Sequence, residues 1–493
     1  MICTKAKKLT THTYVKSSAH KVGIHDETDV SILIKNILLT IIALYAVYVL
    51  FGAYILFFLP ISYHKTTDKT PFNLSEEVQN KDYVLLLEDG FESGQVRMQA
   101  IREAQSNIDF ISYSVQKGET SHLFMAELFE AADRGVHVRV VLDGLFHNLR
   151  GDLGDVREAI AAHPNMELRY YEPFQFFKPW SWHNRLHDKL LIIDETYGII
   201  GGRNIGDKYL AQNRPKDYVF DRDVLVYNRD EQANSSVFGM KAYANELWDH
   251  PFTKQEKHRI SKNLSKGEAF KKRLKDKMQK AQKENDAFVR PLADDWTNQA
   301  VQADHISFVS NPLTRLNKYP YLWETFTELA QNADSKVYMQ TPYAIPTKQM
   351  IERVGMQPHV QHEMITNSIQ QTPNPMAFSG YLRTRDEILN SGVSIFEYRG
   401  NYSIHAKSFV IDDNLSMVGS FNLDARSSYL NTESAVLIQG SKFAKELEKQ
   451  MDQKKESSAV HSLKNSHIER KSTFKTIAIK VLSKISFLWR HFL

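Results

Sequence analysis

HDKLLIIDETYGIIGGRNIGD, residues 187–207, and HAKSFVIDDNLSMVGSFNLDA, residues 405–425, are two versions of one segment. With the histidines aligned, Lys189 falls on Lys407, Asp194 on Asp412, Gly201 on Gly419, Gly202 on Ser420 and Asn204 on Asn422. Self-similarity of this kind marks a chain built from repeated units. The flanks agree. EAQSNIDFISYS (103–114) and ELAQNADSKVYMQTPY (328–343) each run from a helical pattern into a strand-like one. In the first half the helical pattern HLFMAELFEAADRG (122–135) stops at Gly135, and the alternating, β-branched VHVRVVLDG (136–144) follows. Helices alternating with buried strands predict an α/β fold of two homologous lobes, residues 81–250 and 304–455.

Outside the lobes the chain divides by composition. Residues 1–36 form a basic arm. Residues 37–59, ILLTIIALYAVYVLFGAYILFFL, carry no charge. At about 1.5 Å per residue such a helix crosses a hydrocarbon core of roughly 30 Å, and it lacks the polar stripe of a core helix. Six lysines precede it (Lys5, Lys7, Lys8, Lys16, Lys21, Lys35), against Lys65, Lys69 and Lys81 after it, so the body leans to the non-cytoplasmic side. Residues 60–80 read as a polar linker. Residues 251–303 form a second, charged linker, with 13 Lys/Arg against five Asp/Glu between 254 and 290. A solvated helix is the plain reading there, and a surface for anionic headgroups the functional one. Residues 456–493 end in a basic amphipathic pattern, FKTIAIKVLSKISFLWRHFL, which suits a membrane interface or the flank of a lobe equally. The overall balance, 62 Lys/Arg against 58 Asp/Glu, points to no nucleic-acid partner. Cys3 is the single cysteine, which excludes a disulfide framework and any cysteine-based zinc site.

The repeated motif carries the chemistry. Residues i and i+2 of a strand share a face, so His187 projects with Lys189 and His405 with Lys407. Two imidazoles divide a phosphoryl transfer between them: one attacks phosphorus and the other protonates the leaving oxygen. Lys189, Lys407, Asn204, Asn422 and Ser420 are candidate donors to the non-bridging oxygens. Each histidine needs a carboxylate behind it, and Asp223 (with Asp221) and Glu433 are the candidates. Asp194 and Asp412 complete the two motifs. No metal or other cofactor is expected, because lysines supply the positive charge.

In order along the chain, NRLHDKLLIID (184–194), GGRNIGDKYL (201–210), YVFDRDVLV (218–226), QTPYAIP (340–346), ITNSIQQ (365–371) and the second motif with its lead-in GYLRTRDEILNSGVSIFEYRG (380–400) resemble the phospholipase D superfamily, and most closely its bacterial cardiolipin synthase branch. The resemblance covers residues 83–445. It implies two α/β/α sandwich lobes related by a pseudo-two-fold axis, with one active site between them and a place in the bacterial inner membrane. It further implies that His187 is the nucleophile and His405 the general acid, that Glu433 orients the second histidine, and that Asp194 and Asp412 are more structural than catalytic. Two stretches depart from the branch. SYSVQKGETSHL (112–123) has Lys117 where acid is expected, and IERVGMQPHVQHEMITNS (351–368) lacks an Arg-Gly-Val turn. Both bear on which lipid is taken.

Phosphatidyl transfer to a lipid alcohol, giving cardiolipin, is the leading expectation. Phosphatidylglycerol, and beside it phosphatidylethanolamine, are the expected lipid partners, with the roles of donor and acceptor left open. Hydrolysis to phosphatidic acid uses the same intermediate and is the close alternative. A nuclease is disfavoured by the apolar span, and a catalytically silent scaffold by the completeness of both motifs.

Overall fold

The computed structural model describes residues 25–59, 80–256, 264–461 and 474–493. It divides into two units, one ending at Leu56 and the other beginning at Phe57. The first is a helix, His25–Ala53, running into the 3-10 turn Ile55–Phe58. Its stretch Val30–Phe58, 29 residues, is long and apolar enough to cross a membrane. The helix starts well before the uncharged run, because the residues from His25 to Asn36 offer no proline or glycine to stop it.

The second unit holds two sheets of matching plan. In the first, of nine strands, Lys189–Ile193 lies antiparallel to Tyr197–Gly201 on one side and to Asn107–Ser112 on the other. Beyond Asn107–Ser112 run the parallel strands His137–Asp143 and Met166–Tyr171. In the second, of eight strands, Ser408–Ile411 lies between Leu415–Gly419 and Lys336–Gln340, followed by the parallel strands Gln361–Asn367 and Ser394–Tyr398. The repeat read in the sequence is thus a repeat of sheet topology, in a mixed α/β fold of two lobes.

Alternation along the motif strands explains how the sheets are buried. Leu191 and Ile193 enter the core of the first lobe, while Leu190 and Ile192 enter a second core shared by both lobes. Phe409 and Ile411 face the core of the second lobe, while Val410 joins Leu190 in the shared one. Helices Ser236–Asp249 and Ser441–Glu456 fill that middle layer through Met240, Leu247, Phe443 and Leu447. A dry central layer fixes the two motif strands against each other, which a two-sided active site requires.

Each motif strand ends in a tight turn led by an aspartate of positive φ, Asp194 at 50° and Asp412 at 51°. A short polar side chain tolerates that conformation. The charged linker is not wholly solvated. Helix Leu264–Lys283 lays Phe270, Leu274 and Met278 into the first lobe's core, and Thr253–Gln255 and Val301–Gln302 add edge strands to the first sheet. The i, i+4 spacing of those three residues defines a narrow apolar stripe on an otherwise charged helix. The tail lies on the flank of the second lobe. Helix Phe474–Ile485 packs on Pro375–Asn390 with Ile479 fully buried, yet Ile477, Val481 and Ile485 stay exposed.

Candidate active site

Each histidine sits just ahead of its motif strand, and a side chain from a neighbouring strand end fixes the residue before it. In the first lobe Asp143 accepts from the Leu186 N–H (3.0 Å). In the second, Asn367 accepts from the Ile404 N–H (2.9 Å) and donates to the Ile404 carbonyl (2.8 Å). Both supporting residues terminate the strand parallel to the one beside the motif, where an α/β sheet gathers its functional loops.

The next contacts cross between lobes. The His187 N–H donates to the Thr432 carbonyl (3.2 Å) and the Thr432 N–H to the Arg185 carbonyl (2.9 Å). The His405 N–H donates to the Phe220 carbonyl (2.6 Å), where Ser403–Ile404 pairs in parallel with Val219–Phe220. Each histidine is therefore stitched to the backbone just before a carboxylate of the other lobe. His187 Nδ1 donates to Glu433 (2.9 Å), and His405 Nδ1 donates to Asp221 (2.6 Å). A carboxylate can only accept, so the proton belongs on Nδ1 and Nε2 is left for chemistry in both rings. The imidazoles keep 13% and 14% of their side-chain surface exposed, whereas both carboxylates keep none.

This pairing corrects the sequence reading twice. Glu433 stands behind the first histidine, not the second. Asp223 stands behind neither, because Ser93 (2.8 Å), Arg97 (3.0 Å) and Arg203 (2.9 Å) occupy its Oδ2. Asp221 has the role expected of Asp223. It fits because Gly202 faces it: a Cβ there would lie 2.1 Å from Asp221 Oδ1. The equivalent Ser420 donates its hydroxyl to Glu433 (2.5 Å), so it braces that carboxylate and is not placed as a donor to phosphate. Asn431 supports the other Glu433 oxygen (3.0 Å).

Asp194 and Asp412 are not in the site. Asp194 accepts from the Gln105, Ser106 and Asn107 N–H groups, and Asp412 from those of Asp334, Ser335 and Lys336. Each ties the far end of its motif strand to the start of the neighbouring one. The strand between Lys189 and Asp194 is about 3.3 Å per residue, which separates the aspartate from the chemistry by several residues.

Electrostatics distinguish the two histidines. Burial, followed by Lys189, Lys407 and Arg426, holds His187 well below its usual value. Burial and Lys407 push His405 down to about 4, opposed by Asp221. Burial alone would raise Asp221, but Lys407, His405 and Arg203 outweigh it and hold the carboxyl below its usual range. Glu433 goes the other way: burial raises it despite Lys189. The firmer anion thus backs His405, which favours an imidazolium there more than at His187. Environments that push paired groups apart assign them different roles. Burial also lowers Lys189 to about 7 and Lys407 to about 8. Both ammonium groups fold back to donate to the carbonyl of their own histidine, Lys189 to His187 and Lys407 to His405.

Asn204 and Asn422 are buried, with Nδ2 on Tyr209 Oη (3.4 Å) and Ser427 Oγ (3.2 Å) respectively, and Oδ1 of each has no hydrogen-bond partner. Each Nδ2 carries a second N–H beyond that contact, so each amide retains a donor. Three tyrosines that sequence reasoning missed line the same place. Tyr113 meets His187 edge-on at 5.3 Å, and Tyr343 and Tyr209 lie 6.3 and 6.4 Å from His405. Tyr113 and Tyr343 follow the two repeated strands, so the upstream match between the halves was the signal for them. Among the described residues, no group of three or more His, Cys, Asp or Glu could hold a metal ion.

The family described as "Cardiolipin synthase, PLD-like domain" matches at residues 98–234 and again at 326–455, once in each lobe. An uncharacterized protein of Helicobacter pylori is 29% identical over 426 residues, covering 78% of this chain and 82% of its own. Cardiolipin synthase C of Escherichia coli K12 is 25% identical over 407 residues, covering 74% and 83%. The crystal structure of phosphatidylserine synthase from Haemophilus influenzae Rd KW20 superposes with a TM-score of 0.56 at 16% identity, over 84% of this chain and 98% of that one. That last likeness shows a shared fold.

Proposed function

Because the chain belongs to the cardiolipin synthase, phospholipase D-like domain family, its match covering both lobes, we propose that it is a membrane-bound phosphatidyltransferase that makes cardiolipin. The supporting observation is the crossed pair of histidine–carboxylate contacts, which leaves two Nε2 atoms free in one site. In this reading His187 Nε2 attacks the phosphorus of phosphatidylglycerol, with phosphatidylethanolamine a second donor. The P–O bond to the headgroup breaks, and His405, acting as the imidazolium that the Asp221 carboxylate supports, gives its Nε2 proton to the departing oxygen. A phosphatidyl group remains on His187. A lipid hydroxyl then attacks that phosphorus, its proton passes to His405, and the N–P bond breaks. Lys189, Lys407, Asn204 and Asn422 hold the non-bridging oxygens, where charge is greatest in the transition state. In this reading the apolar span holds the site at a bilayer that contains both substrates, and the excess of lysines before the span supports a body on the non-cytoplasmic side of the bacterial inner membrane.

Water competes for the same intermediate at about 55 M, so transfer needs an acceptor held in place. The test is product partition in vesicles of labelled phosphatidylglycerol, and separately of labelled phosphatidylethanolamine. Cardiolipin or another phosphatidyl-transfer product should dominate at high acceptor density. Dominant phosphatidic acid under those conditions would replace the transferase by a phospholipase D.

A further inference from the structure

The steps above use the two lysines, the two asparagines and the two histidines, and they leave Arg426 idle. Arg426 lies in the short helix Ala425–Tyr429, four residues past Asn422 and next to the Ser427 that Asn422 contacts. Its Nη1 donates to the Phe492 carbonyl (2.6 Å). Among the described residues no carboxylate lies within 4 Å of its guanidinium. Other arginines around the site are paired: the buried Arg97 and Arg203 with Asp223, Arg222 with Glu88 and Arg185 with Asp143, and the half-buried Arg315 with Glu172. Arg426 itself is only half-buried, so an anion entering the site can reach its guanidinium, and a guanidinium without a carboxylate partner suits one.

The charges around Arg426 point toward the site. Its charge adds to the burial that lowers His187 and opposes the burial that raises Tyr113, so its field reaches the nucleophile's side of the site. Its acidic neighbours are Asp424 and Asp143. Both carboxylates are engaged elsewhere: Asp424 accepts from the Ser427 N–H (2.6 Å) and Asp143 from the Leu186 N–H (3.0 Å). The repeat supplies a counterpart: with Asn204 on Asn422, Lys208 falls on Arg426. Lys208 Nζ lies 6.0 Å from the ring of Tyr209, which itself stands 6.4 Å from His405. The aligned position of each lobe therefore carries a cation, beyond the lysine of the motif.

The transferase reading, on which this step rests, involves two phosphodiester anions. The donor's phosphorus is held by Lys189 and Lys407. The acceptor, if it is itself an anionic glycerophospholipid, brings a second phosphodiester separated from its attacking hydroxyl by a three-carbon glycerol. That second anion needs a cation a few ångströms outside the catalytic pair. We propose that Arg426 is the acceptor subsite, its guanidinium taking the phosphodiester of the incoming anionic glycerophospholipid. The hydroxyl of that lipid then forms the new O–P bond as the His187 N–P bond breaks, and its proton goes to His405. Planar guanidinium suits a phosphate bidentately. Water has no such handle, so the subsite raises transfer over hydrolysis. The tail takes part in building it: the Phe492 carbonyl orients the guanidinium, and the Phe492 ring lies 4.2 Å from His183 and 5.5 Å from Phe57.

The experiment uses the full chain in vesicles of phosphatidylglycerol and reads the ratio of cardiolipin to phosphatidic acid, which is independent of the total rate. Arg426→Gln should lower that ratio by about tenfold to a hundredfold, the range of one charge-assisted hydrogen bond. Arg426→Lys, which keeps the charge, should retain most of it. An unchanged ratio in Arg426→Gln overturns the assignment. So does an equal fall in both variants, which would show that Arg426 serves only to hold Phe492. If the wild-type protein forms phosphatidic acid alone, the transferase reading fails first and takes the subsite with it. Should Arg426→Gln not fold, the wild-type protein still decides. Given phosphatidylglycerol and monoacylglycerol as acceptors at equal density, it should prefer the anionic one by about tenfold or more, and equal use overturns the proposal.

Discussion

Asp221→Asn separates this account from the one the sequence suggests. The substitution keeps the volume and removes the anion behind His405. In the structure the bond is 2.6 Å long, both oxygens are fully buried, and Lys407 lies 3.9 Å from the same oxygen. One charge-assisted hydrogen bond is worth about 1.5–3 kcal/mol, or roughly ten- to 150-fold in rate. A further loss comes from the tautomer, because an amide can donate to Nδ1 and move the proton to Nε2. Together these place the fall in kcat near 10²–10⁴, the usual range for disabling an acid–base group. Asp223→Asn, two residues on, should behave differently. It strips the anion from two buried guanidiniums, Arg97 and Arg203, and breaking a buried pair costs about 3–5 kcal/mol of stability. The assay is steady-state turnover on phosphatidylglycerol vesicles beside thermal unfolding. The account predicts lost turnover at a near-normal Tm for Asp221→Asn, and a lowered Tm for Asp223→Asn. If Asp223→Asn abolishes turnover at an unchanged Tm while Asp221→Asn is nearly silent, the crossed pairing is wrong.

Three further outcomes follow from the geometry. Burial places Lys189 at about 7 and Lys407 at about 8, and only their ammonium forms hold phosphate. KM for lipid should therefore climb as pH rises through that window while kcat changes less, since a bound phosphate returns the protons; a KM flat to about pH 9 would contradict this. Asp412→Asn should cost about 1–3 kcal/mol of stability through weakened turn contacts and leave kcat nearly intact. Backbone hydrogen bonds hold that carboxyl below its usual value, so its contribution is present at neutral pH and lost as pH falls through the folded value, which acid titration of Tm reads. Removing residues 1–56 should release the protein from detergent-dependent extraction. A continued need for detergent would assign membrane binding to the exposed Ile477, Val481 and Ile485 of the tail helix.

What could be read in advance was whatever recurs locally. The paired motifs, the strand patterns before them and the uncharged N-terminal run are periodic features of short windows, and the lobes, their sheets and the membrane-length helix follow from them. The partners of the histidines were not legible, for a definite reason. Asp221 and Asp223 are two residues apart and equally acidic. The choice between them is made by a parallel pairing of Val219–Phe220 with Ser403–Ile404, 184 residues away in the case of His405 and Asp221. No local period encodes that contact. Glu433 was seen as a carboxylate but attached to the wrong ring: the family resemblance assigned it to the second histidine, whereas the pairing crosses between the lobes and sets it behind His187. Ser420 was matched to Gly202 as a phosphate donor, when the pair instead makes room for Asp221 and braces Glu433. The linker helix was read by charge, which dominates its composition, while three apolar residues at i, i+4 spacing decide where it packs.

The division of labour between His187 and His405 is the centre of the account, and a trapped intermediate tests it most directly. The full chain is mixed with phosphatidylglycerol labelled at phosphorus, quenched within a turnover, and mapped for acid-labile, base-stable phosphohistidine. A second arm uses His405→Ala with a phosphatidyl ester whose leaving group needs no proton. Label is expected at His187 in the wild type, and accumulation at His187 in His405→Ala with the activated ester. Label at His405, or none in His405→Ala when that ester is consumed, would contradict that division of labour.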